Sequence, residues 1–449
     1  MSVRVLTLAV CTLFAGAALA ADKPGPNDWP QWRGQNRDGK SPETGLLKSW
    51  AKDGPAKLWT AKDLGLGFGT PSVAAGKIFG MGTREGKDGV WALKEADGKE
   101  LWFTPIDGTR NANQNNGAGS APAYADGKVY AVSNNNGVVA KLDAATGEIE
   151  WKKSYKDDFG AGTGAWGFND SVLVDGDVVI CTPSGSKGAI AALKTASGEV
   201  AWATQLGKVN TGGGPEGGAG YCSPIKATIA GVTMYIVILD RPNGIVGVNV
   251  KTGAKIWSYT KTALGGTAQI PTPIVVDDKV WFSTAYDEKV ATAGAALLQL
   301  VPDGKDKFTV KEIRTYKKPE LTNHHGGMIL VDGYVYLGHG QNNGIPACVD
   351  MKTGELMWKA DKYPAGAGAS AAYSYGDGML YIRYQNRLMT LVKPSPREED
   401  NKIVSSFMLP EPNDKRYSQS WPHPVIANGK LYIRDQNVLY CYNVKASTN

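Results

Sequence analysis

The chain has 449 residues, of which 42% are hydrophobic and 20% are charged, and its formal net charge is +6 at pH 7. The basic residues are scattered rather than grouped, which argues against nucleic acid as a partner. The 56 glycines and 24 prolines indicate many tight turns, and no long amphipathic helical pattern competes with the strand-like segments.

Residues 1–20 have the features of a signal peptide. Arg4 supplies a positive charge, Val5–Leu13 is apolar, and Ala18–Ala20 is a small-residue cleavage site. The apolar run is too short for a transmembrane anchor, and Val10 stands where a bacterial lipobox requires a small residue. We therefore expect an exported protein of the periplasm or the extracellular space, without a transmembrane segment.

A repeated pattern of strands and turns follows an N-terminal extension of residues 21–55. Its best copy, Ser120–Tyr155, ends on the motif Asp-x-x-Thr-Gly-x-x-x-Trp at Asp143–Trp151, which recurs at Asp350–Trp358. Successive copies end about 50 residues apart, and a period of this length with four strand-like segments is typical of a β-propeller. Looser copies end at Trp102, Trp202 and Trp257.

The repeat predicts an all-β fold, an eight-bladed β-propeller of four-stranded blades over residues 56–449. The eighth copy has three strands after Pro424, while Ala56–Lys62 is a lone strand that carries Trp59. Because an open ring would expose a bare sheet edge, we expect the N-terminal strand to complete the C-terminal blade. The first seven blades are predicted at Thr70–Pro105, Ser120–Tyr155, Asp170–Leu206, Cys222–Thr260, Pro271–Tyr316, Gly327–Ala360 and Ala371–Pro410.

Four cysteines remain once the signal peptide is removed, and none lies in a CxxC or CxxCH arrangement. This spacing argues against a zinc ribbon and against c-type haem. We expect these cysteines to be small core residues, with a disulfide between Cys181 and Cys222 as the open alternative.

The repeats closely resemble those of the exported quinoprotein-type, or PQQ-like, propeller family over about residues 56–445. The opening Trp29–Gly34, followed by Asn36–Gly39, is similar to the start of many exported members. The family contains quinone-dependent alcohol dehydrogenases and non-catalytic propellers such as the outer-membrane assembly factor BamB. On the dehydrogenase branch, the resemblance implies pyrroloquinoline quinone (PQQ) with Ca²⁺ as the cofactors.

The loops of the predicted blades alternate between two faces of the ring. One face carries short Asn/Asp-Gly hairpin turns, whereas the other collects the long connections between blades and the loops between second and third strands. Function usually lies on irregular loops held by a rigid scaffold, so we place ligand binding on the second face. The candidate ligand-binding residues there are Trp166, Asn169, Tyr221, Gln269, His324, His325, His339, Arg383, Trp421, His423 and Arg434.

Three interpretations of these residues remain open. They fill the channel mouth as packing, they form a polar aromatic pocket for a planar or sugar-like ligand, or His324 or His325 binds a transition metal together with His339. The metal alternative is the weakest, because adjacent histidines in a strand point to opposite sides.

Two functions remain open, and the sequence assigns no catalytic residue to either of them. We expect an exported monomer that acts as a non-catalytic scaffold for a protein or glycan partner in the cell envelope. The alternative is a PQQ-dependent dehydrogenase that oxidises an alcohol or a sugar. It is less favoured because the adjacent cysteine pair and the haem segment of many such dehydrogenases are missing.

Overall fold

The computed structural model describes residues 23–109, 117–207, 221–239, 242–264, 269–285, 293–325, 327–410 and 419–447. The predicted signal peptide lies outside these residues. So do 208–220 and 411–418, which the sequence assigned to two of the long loops.

Eight sheets, each with four antiparallel blade strands, form a closed ring, which confirms the predicted eight-bladed propeller. Two strands precede the first blade, β1 (Lys40–Ser41) and β2 (Lys57–Ala61). Blade one contains β3 (Ser72–Ala74), β4 (Lys77–Arg84), β5 (Lys87–Lys94) and β6 (Glu100–Thr109). Blade two contains β7 (Ala123–Ala125), β8 (Lys128–Val132), β9 (Val138–Asp143) and β10 (Ile149–Ser154).

The next three blades follow the same order. A short helix α1 (Tyr155–Phe159) lies in the connection that leads to blade three. Blade three contains β11 (Leu173–Asp175), β12 (Val178–Cys181), β13 (Ile190–Lys194) and β14 (Val200–Thr204). Blade four contains β15 (Ile225–Ile229), β16 (Val232–Leu239), β17 (Gly244–Asn249) and β18 (Lys255–Tyr259). Blade five contains β19 (Ile274–Val276), β20 (Lys279–Ser283), β21 (Gly294–Pro302) and β22 (Phe308–Lys317).

The last three blades return to the start of the ring. Blade six contains β23 (Ile329–Val331), β24 (Tyr334–His339), β25 (Ile345–Asp350) and β26 (Leu356–Lys359). Blade seven contains β27 (Ala371–Gly376), β28 (Met379–Tyr384), β29 (Leu388–Lys393), a 3-10 turn (Glu398–Asp400) and β30 (Lys402–Met408). Blade eight contributes β31 (Val425–Ala427), β32 (Lys430–Asp435) and β33 (Val438–Asn443).

The N-terminal strand closes the ring as predicted. Strand β2 pairs antiparallel with β33, with Trp59 opposite Cys441, and it supplies the outer strand of blade eight. The Trp59 ring then packs over the turn glycine of blade one, where a Cβ on Gly98 would lie 2.6 Å from it. The same arrangement joins blades one and two, because a Cβ on Gly147 would lie 2.6 Å from Trp102.

Repeat tryptophans join consecutive blades by hydrogen bonds as well as by packing. The indole nitrogen of Trp151 in blade two donates to the carbonyl of Thr195 in blade three at 2.9 Å. Trp202 of blade three donates in the same way to Val250 of blade four at 3.1 Å. The tryptophan of the repeat therefore connects neighbouring sheets rather than strands of one sheet.

The apolar cores lie between adjacent sheets, as expected when each sheet cannot bury its faces alone. The four cysteines Cys181, Cys222, Cys348 and Cys441 are free and buried, so they serve as small core residues and the Cys181–Cys222 disulfide is not formed.

The N-terminal segment before β2 runs through the central channel, which the sequence did not predict. The backbone of Trp29 pairs with Val73 of blade one, and the carbonyl of Pro30 accepts from the amide of Tyr124 in blade two. Further along, β1 pairs in parallel with β27 of blade seven as a fifth strand of that sheet. The segment thus contacts the innermost strands on several sides of the ring.

Two buried arginines fasten this segment across the channel. Arg37 donates to the carbonyls of Ser171 and Val172 at 2.8 and 3.0 Å, at the entrance to blade three. Arg33 donates to the carbonyl of Met328 at 2.6 Å, next to blade six. Backbone carbonyls therefore take the place of the water molecules that both guanidinium groups lose on burial, as buried polar groups require.

Candidate functional site

A cavity of about 280 Å³ lies at one mouth of the channel. Its lining comes from the connections that precede blades one to six and blade eight, and from the loop between the second and third strands of blade six. This is the face on which the sequence placed ligand binding. The lining residues are Trp32, Phe68, Thr70, Gly117, Gly119, Trp166, Asn169, Ser171, Tyr221, Ser223, Ile270, His324, His325, Gln341, Asn342, Trp421, Pro422 and His423.

Seven of the eleven sequence-predicted candidates line this cavity. Four others do not line it, and each of these makes contacts within the ring. Those that line the cavity are Trp166, Asn169, Tyr221, His324, His325, Trp421 and His423, and those that do not are Gln269, His339, Arg383 and Arg434.

One part of the cavity wall is a cluster of aromatic rings. The imidazole of His325 stacks on Trp421 with ring centroids 4.3 Å apart and planes at 14°. Phe68 contacts the same indole at 4.6 Å, and His324 lies 3.9 Å from His325. The two adjacent histidines therefore contact each other instead of pointing to opposite sides. They lie in a bend rather than a strand, so strand alternation does not apply.

Trp166 forms a second aromatic surface on the opposite part of the lining. Its backbone amide donates to the hydroxyl of Tyr221 at 3.3 Å, and its carbonyl accepts from the side-chain amides of Asn134 and Asn169 at 2.7 and 2.8 Å. These bonds hold the loop, whereas the Trp166 residue itself is 36% exposed. The loop therefore presents an indole on a fixed backbone.

Burial keeps the cavity histidines uncharged. It lowers the pKa of His324 to about 4 and that of His423 to about 3, and it takes the pKa of His325 well below its ordinary value. The ring nitrogen Nε2 of His423 lies 3.3 Å from the carbonyl of His325, which can only accept, so this nitrogen carries the proton. Its Nδ1 has no hydrogen-bond partner among the described residues.

His339 positions the segment that carries the paired histidines. Its Nδ1 accepts from the backbone amide of Thr322 at 3.2 Å, and Gly340 donates to the carbonyl of Thr322 at 2.9 Å. Because Nδ1 accepts an amide proton, the neutral ring of His339 carries its own proton on Nε2, and neither nitrogen offers a lone pair to a metal ion. This argues against the His324–His339 metal site. The described residues contain no group of three or more His, Cys, Asp or Glu side chains placed to bind a metal ion.

Arg383 and Arg434 are fully buried and bind the protein's own backbone and Asp435. Arg383 donates to the carbonyl of Pro422 at 3.2 Å and forms an ion pair with Asp435 at 3.2 Å. Arg434 donates to the carbonyls of Gly69 and Gly65 at 3.1 and 3.2 Å. These arginines therefore stabilise the entrance to blades one and eight, and neither of them lines the cavity.

Gln269 also belongs to the framework of the ring. It is buried, and its side-chain oxygen accepts from the amide of Ala285 at 3.2 Å.

The described cavity lining does not fit a carboxylate-bearing quinone with a divalent cation. Such a pair requires cationic groups at the quinone and carboxylate oxygens at the metal. No Asp, Glu, Lys or Arg is among the described lining residues, and their histidines are neutral. We therefore derive no chemical step through a quinone.

Sequence reasoning missed several lining residues. Trp32 contacts His423 edge to face at 4.7 Å and donates to Thr272 at 3.0 Å, and it forms part of the cavity although it belongs to the N-terminal segment. No local signal places that segment in the channel. Phe68, Gln341 and Asn342 were also missed, although the alternation of loops between the two faces assigns their loops to this mouth and is the signal that could have found them.

Comparisons with known proteins agree with this architecture. A family model described as outer membrane protein assembly factor BamB matches residues 43–213 and 86–360, which together cover more than half of the chain. No curated protein sequence matches the chain. No helix in the described part is long and apolar enough to cross a bilayer.

Solved structures with a similar fold come from both branches of propellers. BamB from Moraxella catarrhalis is 15% identical with a TM-score of 0.55, over 88% of this chain and 98% of that one. Quinohemoprotein alcohol dehydrogenase from Comamonas testosteroni is 13% identical with a TM-score of 0.62, over 94% and 81%. A europium-containing methanol dehydrogenase is 12% identical with a TM-score of 0.59, over 91% and 89%. By its family-model match and its repeats, the chain belongs to the BamB-like family of PQQ-repeat propellers.

Proposed function

We propose that the protein is an exported, monomeric, non-catalytic scaffold that binds a protein or glycan partner in the cell envelope. The observation that carries this proposal is the channel-mouth cavity, which combines exposed aromatic surface with neutral polar groups. Such a composition is typical of recognition sites, where apolar contact supplies affinity and a few polar groups fix orientation. The likeness to BamB, an assembly factor of the outer membrane by its family description, supports a location in the envelope.

The experiment is a binding assay on the mature chain. Immobilised protein is exposed separately to detergent-solubilised envelope proteins and to envelope glycans, beside a Trp166→Ala/Trp421→Ala variant. We expect the native protein to retain one of the two fractions and the double variant to retain neither. Equal retention by both proteins, or retention of neither fraction, would contradict the proposal. A control Leu101→Ala variant, on the outer strand of blade one, should behave as the native chain.

A quinone-dependent dehydrogenase is the second candidate, because structural neighbours include such enzymes. The neutral described lining argues against it. The test adds PQQ and Ca²⁺ to the mature protein, then measures a bound chromophore and dye-linked oxidation of alcohols and sugars. We expect neither signal, and stoichiometric quinone binding with substrate-dependent dye reduction would replace the scaffold proposal.

A further inference from the structure

We propose that the cavity recognises an uncharged sugar ring, so that the partner of this scaffold carries a neutral saccharide. This inference rests on the proposed binding function and narrows it to one class of ligand. It depends on three features of the lining, namely its charge, its aromatic surface and the hydrogen-bonding groups that remain available.

The charge of the lining selects against ionic ligands. Every described lining side chain is neutral, and the buried arginines beside it, Arg33 and Arg383, donate to backbone carbonyls or pair with Asp435. A ligand carboxylate or phosphate would lose water without gaining an opposite charge there, which is unfavourable. An uncharged ligand avoids this cost.

The aromatic surfaces favour a ring with one apolar face over a flat aromatic molecule. Trp421 already contacts two rings, His325 and Phe68. Trp166 instead touches Tyr221 edge to face at 6.3 Å and keeps 36% of its surface exposed. The open indole of Trp166 suits the C–H face of a sugar, whereas a planar heterocycle gains most when it is held between two parallel rings.

Three buried hydroxyl groups in the lining remain able to donate. Thr70 accepts from the amide of His423 at 3.0 Å, Ser171 from Ala121 at 2.9 Å, and Ser223 from Ser171 at 2.9 Å. A hydroxyl that accepts a backbone proton still has its own proton to donate. These residues precede blades one, three and four, so the donors lie on different sides of the cavity.

The same lining also contains acceptors. Gln341 adds an amide group that can accept or donate, and Asn342, whose side-chain oxygen lies 3.1 Å from Nδ1 of His324, adds an amide nitrogen. Sugar hydroxyls both donate and accept, so they match this mixture, whereas a purely apolar ligand would leave the buried groups unpaired.

The volume limits how much of a glycan can enter. The cavity, at about 280 Å³, lies at the small end of the range for ligand pockets, which is roughly 300–1,000 Å³. We therefore expect one terminal sugar ring to bind, rather than the middle of a polysaccharide chain.

The test uses purified mature protein and defined probes. Methyl glycosides of glucose, galactose, mannose and N-acetylglucosamine are titrated calorimetrically and by ligand-detected NMR, beside glucuronic acid, glucose 6-phosphate and indole. We expect at least one neutral glycoside to bind at least tenfold more tightly than every charged or planar probe. Trp166→Ala should weaken that binding about tenfold, which corresponds to 1.4 kcal/mol, while Leu101→Ala leaves it unchanged.

Three results would overturn the inference. They are tighter binding of a charged or planar probe, no binding of any neutral glycoside or of its disaccharides, and unchanged affinity in Trp166→Ala. Circular dichroism checks whether Trp166→Ala is folded. If it is not, Ser171→Ala takes its place, because this variant keeps the indole and removes one hydrogen-bond donor. If sugars fail while an envelope protein is still retained through the cavity, the scaffold proposal stands and the saccharide inference alone is wrong.

Discussion

At the scale of single residues, the turn of the repeat requires glycine for two independent reasons, its backbone conformation and the space left for a tryptophan. Gly147 has φ of +76°, a conformation that L-residues rarely adopt, and its missing Cβ leaves room for the indole of Trp102. Gly127, in the first hairpin of the same blade, has nearly the same φ of +74°, but a Cβ added there would meet no other atom within 4 Å. A side chain at Gly127 would therefore strain the backbone only, whereas one at Gly147 would also disturb the packing between blades.

Replacing each glycine by alanine tests this difference. We expect Gly127→Ala to lower the free energy of unfolding by about 1–2 kcal/mol, from backbone strain alone. Gly147→Ala should cost about 2–4 kcal/mol, because its methyl group would also displace Trp102. Urea denaturation of both variants measures the difference. Equal losses would show that the tryptophan adjusts freely.

The cavity histidines make stability depend on pH. Burial lowers the pKa of His324 to about 4, whereas in the unfolded chain it is about 6.5. The unfolded state therefore binds the proton first, and stability decreases as the pH falls from about 6.5 toward 4. Between pH 7 and pH 5, His324 should account for a loss of about 2 kcal/mol, which His324→Gln should remove. Thermal denaturation at both pH values measures the change.

Asp170 provides a control, because its effect on stability changes with pH in the direction opposite to that of His324. Burial raises its pKa to about 6, so the folded state binds this proton first and its contribution to stability is lost as the pH rises through 6. Asp170→Asn should therefore make the loss of stability on acidification steeper, whereas His324→Gln makes it shallower. The same direction of change in both variants would contradict these assignments.

At the scale of elements, the strand β2 decides whether the ring is closed. Its Trp59 is directed toward blade one, whereas the neighbouring Leu58 is 50% exposed to solvent. These neighbours allow closure to be tested without deleting the strand.

We expect Trp59→Ala to lower the free energy of unfolding by roughly 3 kcal/mol, because it removes the contact between blades eight and one. Leu58→Ala, on the same strand, should cost less than about 0.5 kcal/mol. Chemical denaturation of the two variants gives the comparison. Similar small losses in both would mean that blade eight is not secured by this tryptophan.

At the scale of the whole molecule, the N-terminal segment connects blades that are distant in sequence. Amides of Val73, Tyr124 and Tyr375 donate to this segment at 2.8, 2.7 and 2.9 Å. These residues lie in the innermost strands of blades one, two and seven. In a ring where each blade otherwise contacts its neighbours, such a crossing adds long-range connections.

Removal of residues 21–41 should therefore affect particular inner strands rather than all of them. We expect the amides of Val73, Tyr124 and Tyr375 to exchange with solvent at least tenfold faster, because they lose their acceptors. Amides of β15, which bond within blade four, should keep their protection. Hydrogen exchange measured by mass spectrometry or NMR distinguishes this pattern from a uniform loss, which would indicate general destabilisation.

The architecture could be predicted from the sequence because the repeat is local. The spacing of Gly147 and Trp151 recurs along the chain, each copy predicts the same sheet, and the missing outer strand at the C-terminus identifies Ala56–Lys62 as its replacement. The alternation of loops between two faces also gave the correct face for Trp166 and His325. These inferences need only the order of strands and the pairing rules of antiparallel sheets.

Only the tertiary structure decided which polar residues face the cavity and where the N-terminal segment lies. Arg383 lies near the end of β28 and Trp421 in the connection before blade eight, yet the arginine turns inward to Asp435 and the indole reaches the cavity. Local sequence does not encode this choice, because it depends on carbonyls and carboxylates supplied by distant blades. Trp32 reaches the cavity for the same reason. Its segment is held by partners such as Thr272, 240 positions away along the chain, which become neighbours only when the ring closes.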